Sequence, residues 1–246
     1  MSDRSTSDKS HSAHEEFIRA RPAEGALLTP DGRRVAGLPE GLMQALHRGC
    51  GEAAAEHARH SLYRAGYEWG LQDMLQLSSR LREESGGATP ADLWHLDPPV
   101  ALERWSAPFA ASGWGACLFD LSAHAKGLTF VELRHSAAAA AVSGATVPVC
   151  HLYAGLFAGA LSFYDRVESH AVETECAALG HACCRFIVGP GPLIDQAESA
   201  RHSGGTHDAI RRLVLDAPAP GAAPATATPP AKAAAPTSAA KINWKK

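Results

Sequence analysis

The stretch Val172-Glu173-Thr174-Glu175-Cys176-Ala177-Ala178-Leu179-Gly180-His181-Ala182-Cys183-Cys184 decides the fold, together with Cys150 upstream of it. Cys150, Glu173, Cys176 and Cys184 follow one another at spacings of 23, 3 and 8 residues. Three thiolates and one carboxylate suit a closed tetrahedral zinc site, because zinc accepts soft sulfur and harder oxygen without a geometric preference of its own. The sequence therefore predicts a structural zinc ion in this part of the chain.

The secondary structure expected around these residues brings them together. Val167–Cys176 is predicted to be a strand, and Gly180 can adopt the positive φ that a tight turn needs. The chain then returns along Cys184–Val188, so Cys184 should lie close to Cys176. Cys150 begins the helix that leads into the first of these strands.

The residues alone leave three alternatives open. Buried cysteines are often inert core residues, so the thiols need not bind a metal. Glu173 and Glu175 are expected on the same face of their strand, and either could supply the carboxylate. Cys183 could likewise replace Cys184.

Length and composition limit the class of protein. The chain has 246 residues, of which 46% are hydrophobic, and its net charge of −3 gives no reason to expect a nucleic-acid partner. The first twenty residues are polar, so no signal peptide is predicted, and no run is apolar enough to span a membrane. We therefore expect a cytoplasmic protein, in which clustered cysteines favour metal binding over disulfides.

A long helical region is predicted from Leu42 to Arg82, where apolar residues recur largely at helical spacing. The simpler interpretation is that its apolar face packs on a sheet. The alternative is a cavity for a ligand, since aromatic side chains lie on elements that can face each other. The residues proposed to line this cavity are Tyr63, Tyr67, Trp69, Trp114 and Phe130.

The remaining elements are short. Ala101–His135 is predicted to form a β-hairpin, with strands over residues 113–121 and 128–134. A helix should begin at Pro148, and its residues Gly155 and Gly159 permit close backbone contact. A small hairpin is predicted within residues 17–39, and further helices over residues 93–96, 137–142, 193–201 and 206–215.

Both ends of the chain lack the composition of a core. Residues 1–16 are polar and predicted to be disordered, and residues 216–240 form an Ala- and Pro-rich linker. The final residues 241–246 could be a docking peptide, because Ile242 and Trp244 point to one side of an extended chain.

Several of these segments resemble the 4-vinyl-reductase domain family. The resemblance rests on Cys150, Tyr153–Leu161, Val172–Gly180 and Cys184-Arg185-Phe186, and covers roughly residues 46–189. The family includes sensor domains of bacterial regulators that respond to phenols and other aromatics, and is related to Bet3-type vesicle-tethering subunits. In the phenol sensors the zinc ligands are Cys, Glu, Cys and Cys. The resemblance therefore implies that Glu173 and Cys184 are ligands rather than Glu175 and Cys183.

The resemblance also implies how a ligand and a second subunit would bind. The sensors hold their ligand between helices and sheet, and members commonly pair through helices, so residues 42–82 are the expected surface of a homodimer. The phenol sensors use a His and a Trp to hold the ligand hydroxyl. The position that aligns with that Trp falls near Leu133, which argues against phenol itself.

We expect an α+β fold, with helices packed on a twisted antiparallel sheet of about four strands and a structural zinc site. Residues 17–215 would form a single domain with its core at 46–189. The function that fits best is binding of a small apolar or aromatic molecule. The alternatives are an accessory protein or reductase in tetrapyrrole or bacteriochlorophyll metabolism, and an adaptor or cargo protein tethered by its tail. The sequence has no phosphate loop or nucleophile elbow, and a closed zinc site argues against an enzyme.

Overall fold

The structure is a computed structural model that describes residues 18–29, 34–37, 41, 44–45, 51–84, 92–142 and 144–218. The predicted disordered segment 1–16 lies outside these residues. So do the docking peptide with Ile242 and Trp244 and most of the predicted linker. Across the described residues, no helix is long and apolar enough to cross a membrane.

The chain forms two antiparallel sheets. The first has the strands β1 Arg19–Arg21, β2 Ala26–Leu28 and β3 Arg34–Val35, in the order β1-β2-β3. The second has the strands β4 Ala116–Asp120, β5 Thr129–Arg134, β6 His170–Glu175 and β7 Cys184–Gly189, in the order β4-β5-β7-β6. The predicted α+β fold with a four-stranded antiparallel sheet is therefore confirmed.

Helices cover both faces of the four-stranded sheet. The helices are α1 Gly51–Glu84, α2 Pro98–Ala111, α3 Ala137–Ala141, α4 His151–Asp165, α5 Gly191–His202 and α6 His207–Asp216. On one face, α4 packs on β6 and β7, α2 packs on β4, and α1 packs mainly on α4. On the other face, α5 packs on β6 and β7 and α6 on β6.

Two hydrophobic cores result from the alternation of side chains along the strands. Phe186 and Val188 of β7 belong to the core under α4, whereas Ile187 between them belongs to the core under α5 and α6. In β5, Val131 faces the first core and Phe130 the second. The sheet thus separates two cores, and helices cover each of them.

The predicted hairpin over Ala101–His135 is wrong in its first part, because Pro98–Ala111 is a helix. Prolines occupy its first turn, where a missing backbone N–H costs nothing. Leu102, Trp105 and Phe109 are buried on one side of this helix. Their spacing of three and four residues is that of a helix face. The strands β4 and β5 then form the hairpin, and β5 closely matches the second predicted strand.

The predicted close backbone contact at Gly155 and Gly159 is confirmed, and its partner is α1. A Cβ atom at Gly155 would overlap the carbonyl oxygen of Tyr63, and one at Gly159 that of Tyr67. The contact is reciprocal, because side chains at Gly66 and at Gly70 of α1 would overlap carbonyl oxygens of α4. The interpretation that the long helix packs directly on the sheet is therefore wrong. Its glycines place it against the outer side of α4.

Replacing Gly155 by alanine should destabilise the domain by about 1–3 kcal/mol, since the added methyl group forces α1 and α4 apart. Chemical denaturation measures the difference. Ser61→Ala is the control, because Ser61 is exposed on α1, and it should change the free energy of unfolding by less than about 0.5 kcal/mol. Equal stabilities of the wild type and Gly155→Ala would contradict this account of the packing.

Candidate metal centre and aromatic cluster

Three elements place the four predicted metal ligands at one point. Cys150 immediately precedes α4 and is its N-cap residue. Glu173 lies in β6, and Cys176 directly follows that strand. A single 3-10 turn ends at Gly180, whose φ of 93° favours glycine, and the chain returns into β7 at Cys184.

These four side chains form one buried group. Their candidate ligand atoms all lie within 4.8 Å of one another. The Sγ atoms of Cys150 and Cys184 are 3.5 Å apart. All three cysteines have no exposed surface, and Glu173 is 4% exposed. Among the described residues, this is the group of cysteine, histidine and acidic side chains with the spacing of a metal site.

The surroundings of the group orient each donor. Oε2 of Glu173 accepts a hydrogen bond of 2.9 Å from the backbone N–H of Cys150, at the N-terminus of α4. The backbone N–H of Ala177 lies 3.3 Å from Sγ of Cys184, and Ser136 Oγ lies 3.3 Å from Sγ of Cys150. Such contacts around a metal site fix the ligands in place.

The other carboxylate oxygen of Glu173, Oε1, is further evidence for a cation bound by these four residues. Oε1 is buried and has no hydrogen-bond partner within the part of the chain that the structure describes. A buried carboxylate oxygen without a partner is costly unless a cation or a donor compensates it. Together with three converging sulfur atoms, it completes the donor set of a closed tetrahedral zinc site. The residues therefore fit the predicted metal.

The protonation of the group also favours a cation. Burial raises the pKa of Glu173 well above its usual range. The contact with Cys176 and burial raise the pKa of Cys150, whereas hydrogen bonds from Cys150 and Cys184 lower the pKa of Cys176. Without a cation, the group thus opposes ionisation of most of its donors. A divalent cation would remove this restriction, because it stabilises every ionised donor around it.

The expectation that Glu173 and Glu175 share a face of β6 is wrong, because the strand contains a bulge. Glu173 lies opposite Phe186 and Glu175 opposite Arg185, so two residues of β6 span one of β7. The extra residue, Thr174, turns Glu175 to the other face of the sheet. There its carboxylate lies 3.2 Å from the guanidinium of Arg185. Cys183 is also buried but does not belong to the four-residue group.

The five residues predicted to line a cavity do not lie together. Tyr63, Tyr67, Trp69 and Trp114 pack as half-buried side chains against the core under α4. Phe130 belongs to the core under α5 and α6, on the opposite face of the sheet. There the guanidinium of Arg211 lies 4.1 Å from the centre of its ring.

Three of these residues border separate surface pockets rather than one shared cavity, and Phe130 lines one of about 310 Å³ beside Arg211. Tyr63 lines a cleft of about 590 Å³ along the edge strand β6, and its hydroxyl accepts a hydrogen bond of 3.1 Å from the backbone N–H of Ala171. Trp114 lines a pocket of about 110 Å³ together with apolar residues of the N-terminal sheet, such as Leu27 and Val35. The hydroxyl of Tyr67 donates a hydrogen bond of 3.1 Å to Ser162 Oγ.

A chain of touching rings lies between the helices and the sheet, and we call it the aromatic cluster. It joins rings whose centres are 5.1–6.4 Å apart, most of them edge to face. Its members are Trp69, Trp105, Phe109, Trp114, Phe119, Tyr153, Phe157 and Phe186. The sequence analysis missed Trp105 and Phe109, because it assigned their segment to a hairpin. Their four-residue spacing was the available signal.

Comparisons with known proteins agree with this architecture. Residues 129–190 match the family model of the V4R domain, which confirms the resemblance to 4-vinyl-reductase domains over that segment. The phenol-responsive sensory domain of the transcription activator PoxR, solved with phenol, has a TM-score of 0.57 and 20% sequence identity to this chain. The alignment covers 82% of this chain and 92% of that one. At this identity, the likeness shows a shared fold.

A second structure is more distant. A vinyl-4-reductase family protein from Methanocaldococcus jannaschii has a TM-score of 0.37 and 21% identity, and its alignment covers 52% of this chain and 66% of that one. A search of curated proteins finds no significant match to the sequence.

Protein purified without added metal should contain about one zinc ion per chain by elemental analysis, since the four donors form one site. Cys176→Ser should lose the metal and lower the melting temperature by roughly 10 °C or more, because metal-binding energy contributes to folding.

Neighbouring residues provide matched controls for this experiment. Cys183→Ser and Glu175→Gln should keep the metal, because neither residue belongs to the group, whereas Glu173→Gln should weaken its binding. A metal-free wild type of full stability, or equal metal loss in Cys183→Ser and Cys176→Ser, would refute the assignment.

Proposed function

We propose that the chain is a zinc-stabilised, sensor-like domain that binds a small apolar or aromatic molecule. The observation that carries this proposal is the aromatic cluster, which lies between the helices and the sheet and shares its core with the Cys3Glu group. The two sets also share elements of the fold. Cys184 and Phe186, for example, lie two residues apart on the same face of β7. A ligand at the cluster would thus contact elements that the metal holds in place.

In this proposal the zinc has a structural role. Bound to Cys150, Glu173, Cys176 and Cys184, it would link the start of α4 to the ends of β6 and β7. Four protein donors leave no open position for a substrate, so the metal would supply folding energy rather than Lewis-acid chemistry. This arrangement favours a binding domain over an enzyme.

The chemistry of the cluster favours an aromatic ligand. Rings that meet edge to face offer both faces and edges to a further ring, and such contacts add to the burial of apolar surface. The solved sensory domain of PoxR is described as phenol-responsive, and its fold is shared by this chain. The position that aligns with the ligand-binding Trp of the phenol sensors falls near Leu133, which is buried in the core. We therefore propose a ligand other than phenol.

The other expectations from the sequence remain hypotheses. The described residues contain no observation that favours a tetrapyrrole reductase, and an adaptor role depends on a tail outside them. We propose that residues 17–215 form one domain, because both cores share one sheet. We also propose a reducing, cytoplasmic setting, in which clustered cysteines favour metal binding over disulfides.

Aromatic ligands should raise the melting temperature of the full chain. At a ligand concentration of a hundred times Kd, the gain is about 2.7 kcal/mol, which corresponds to roughly 5–10 °C for a domain of this size. Differential scanning fluorimetry with a library of small aromatic and aliphatic molecules measures the shift.

Two tryptophan variants locate the binding site. Trp69→Leu should abolish the shift, because Trp69 contacts both Phe109 and Trp114 in the cluster. Trp94→Leu should preserve it, because Trp94 stacks on Phe163 outside the cluster. The proposal fails if no library member shifts the melting temperature, or if both variants respond to ligand as the wild type does.

We also propose an isologous homodimer through α1, whose outer side carries Leu75 with 46% of its surface exposed. Light scattering at tens of micromolar should give twice the mass of the chain, and Leu75→Glu should give a monomer. Leu213→Glu is the matched control, because Leu213 is also 46% exposed but lies on α6. A monomeric wild type would contradict the proposal.

A further inference from the structure

The pocket beside Arg211 lies between α6 and the sheet, on the face opposite the metal centre. Its volume is about 310 Å³, near the lower end of the range for small-molecule sites. Helix α6 contributes His207, Arg211 and the exposed Asp208. Phe119 also borders the pocket, although its ring packs in the aromatic cluster. The strands β4, β5 and β7 contribute Leu118, Phe130, Glu132 and Arg185.

His207 is the buried histidine of this pocket and the first residue of α6, with 5% of its surface exposed. Its Nδ1 lies 2.7 Å from Oγ1 of Thr174, and that hydroxyl donates a hydrogen bond of 3.1 Å to the carbonyl oxygen of Arg185. Because a threonine hydroxyl has a single proton, it must accept the other bond, and Nδ1 of His207 carries the proton. Thr174, the extra residue of the bulge in β6, thus fixes the tautomer of the ring.

This tautomer leaves Nε2 of His207 as a hydrogen-bond acceptor. Burial lowers the pKa of His207 below its usual value, and the guanidinium of Arg185 lowers it further. The ring therefore stays neutral at neutral pH. Among the residues that the structure describes, Thr174 is the hydrogen-bond partner of this ring, and Nε2 has none.

The charged groups around the pocket are already paired. The guanidinium of Arg211 binds the carboxylate of Asp120. That of Arg185 lies 3.2 Å from the carboxylate of Glu175 and 3.8 Å from that of Glu132. An ionic ligand would thus lose its hydration without meeting an unpaired counter-charge, and a neutral polar ligand is favoured.

Arg211 keeps donors that a neutral ligand could use. Its Nη2 contacts both Asp120 and Ser122, whereas its Nε and Nη1 have no partner in the described part of the chain. His207 and Arg211 are four residues apart on α6, so they lie on the same side of the helix, and both line the pocket. An acceptor and a donor are therefore neighbours in this pocket.

We propose that the pocket binds a neutral molecule with a cis amide group, such as a lactam. The N–H of the amide would donate to Nε2 of His207, and its carbonyl oxygen would accept from Arg211. A cis amide presents both groups on one edge, which suits two side chains one helical turn apart. The apolar part of the ligand would cover Leu118, which is 49% exposed. This site is separate from the core of the aromatic cluster, and it does not depend on the function proposed above.

Two lactams test the hydrogen bond to His207. δ-Valerolactam has the N–H group, whereas N-methylvalerolactam keeps the ring and the carbonyl but lacks that group. In an NMR titration of the full-length chain, δ-valerolactam should bind about tenfold more tightly, the usual effect of one hydrogen bond.

Variants separate the hydrogen bond from the bulk of the added methyl group. His207→Asn removes Nε2 but keeps an N–H that can donate to Thr174. It should weaken δ-valerolactam about tenfold and N-methylvalerolactam by less than about twofold. His207→Gln places a carboxamide oxygen near the position of Nε2 and should keep the preference for δ-valerolactam. Arg211→Met should weaken both lactams equally, and its control Arg212→Met neither, because Arg212 is exposed and does not line the pocket.

A measurement on the wild type does not depend on the folding of a variant. In a chain labelled with 15N in its histidines, the resonance of the unprotonated Nε2 of His207 should move upfield with δ-valerolactam and not with N-methylvalerolactam. The resonance is assigned by its absence from His207→Gln.

Three results would overturn the proposal. A ring of His207 protonated on Nε2 in the free protein would refute the tautomer. Equal affinities of the two lactams, in the wild type and in His207→Asn alike, would refute the hydrogen bond. If neither lactam binds, the pocket is not a lactam site and water is the partner of Nε2, while the binding of aromatic molecules at the cluster is unaffected.

Discussion

The convergence of α4, β6 and β7 on the Cys3Glu group is the constraint on which the rest of the domain depends. The carboxylate of Glu173 accepts from the backbone N–H of Cys150, so the start of α4 is fixed against β6 even before a metal is considered. Cys184 and Cys176 bring the end of β6 and the start of β7 to the same point. Because α4 starts at this point and packs on β6 and β7, its position sets the depth of the core beneath it.

A second constraint follows from the burial of α4 on two sides. Eleven of its residues are buried, including Gly155 and Gly159, which face the backbone of α1. Helices in such close contact cannot accommodate a methyl group between their backbones, so the large side chains lie at the edges of the contact. Tyr63 and Tyr67 lie at these edges, where their hydroxyl groups form hydrogen bonds with the backbone of β6 and with Ser162. The aromatic cluster occupies the space between α4, the sheet and α2.

The sequence predicted the parts of the structure that depend on residue type, and failed where tertiary contacts decide. Cysteines and a glutamate at metal-ligand spacing are an uncommon pattern, so the group around Cys176 could be found without coordinates. The bulge that separates Glu173 from Glu175 depends on how β6 pairs with β7, and periodicity along one strand does not reveal it. Phe130 lies on a strand that is buried on both faces, and only the location of α5 and α6 decides which core contains it. The apolar residues of α2 have helical spacing, but the segment was assigned to the hairpin of β4 and β5 that follows it.

The shared core has a thermodynamic consequence for the proposed function. A metal that binds the Cys3Glu group and a ligand that binds the aromatic cluster would each favour the folded domain over the unfolded chain. Both would also favour the same position of α4, because Cys150 precedes this helix and Phe157 of the cluster lies on it. If two binding events favour the same arrangement, each must strengthen the other by an equal factor. The structural role proposed for the metal would therefore extend to ligand affinity, although the metal would not touch the ligand.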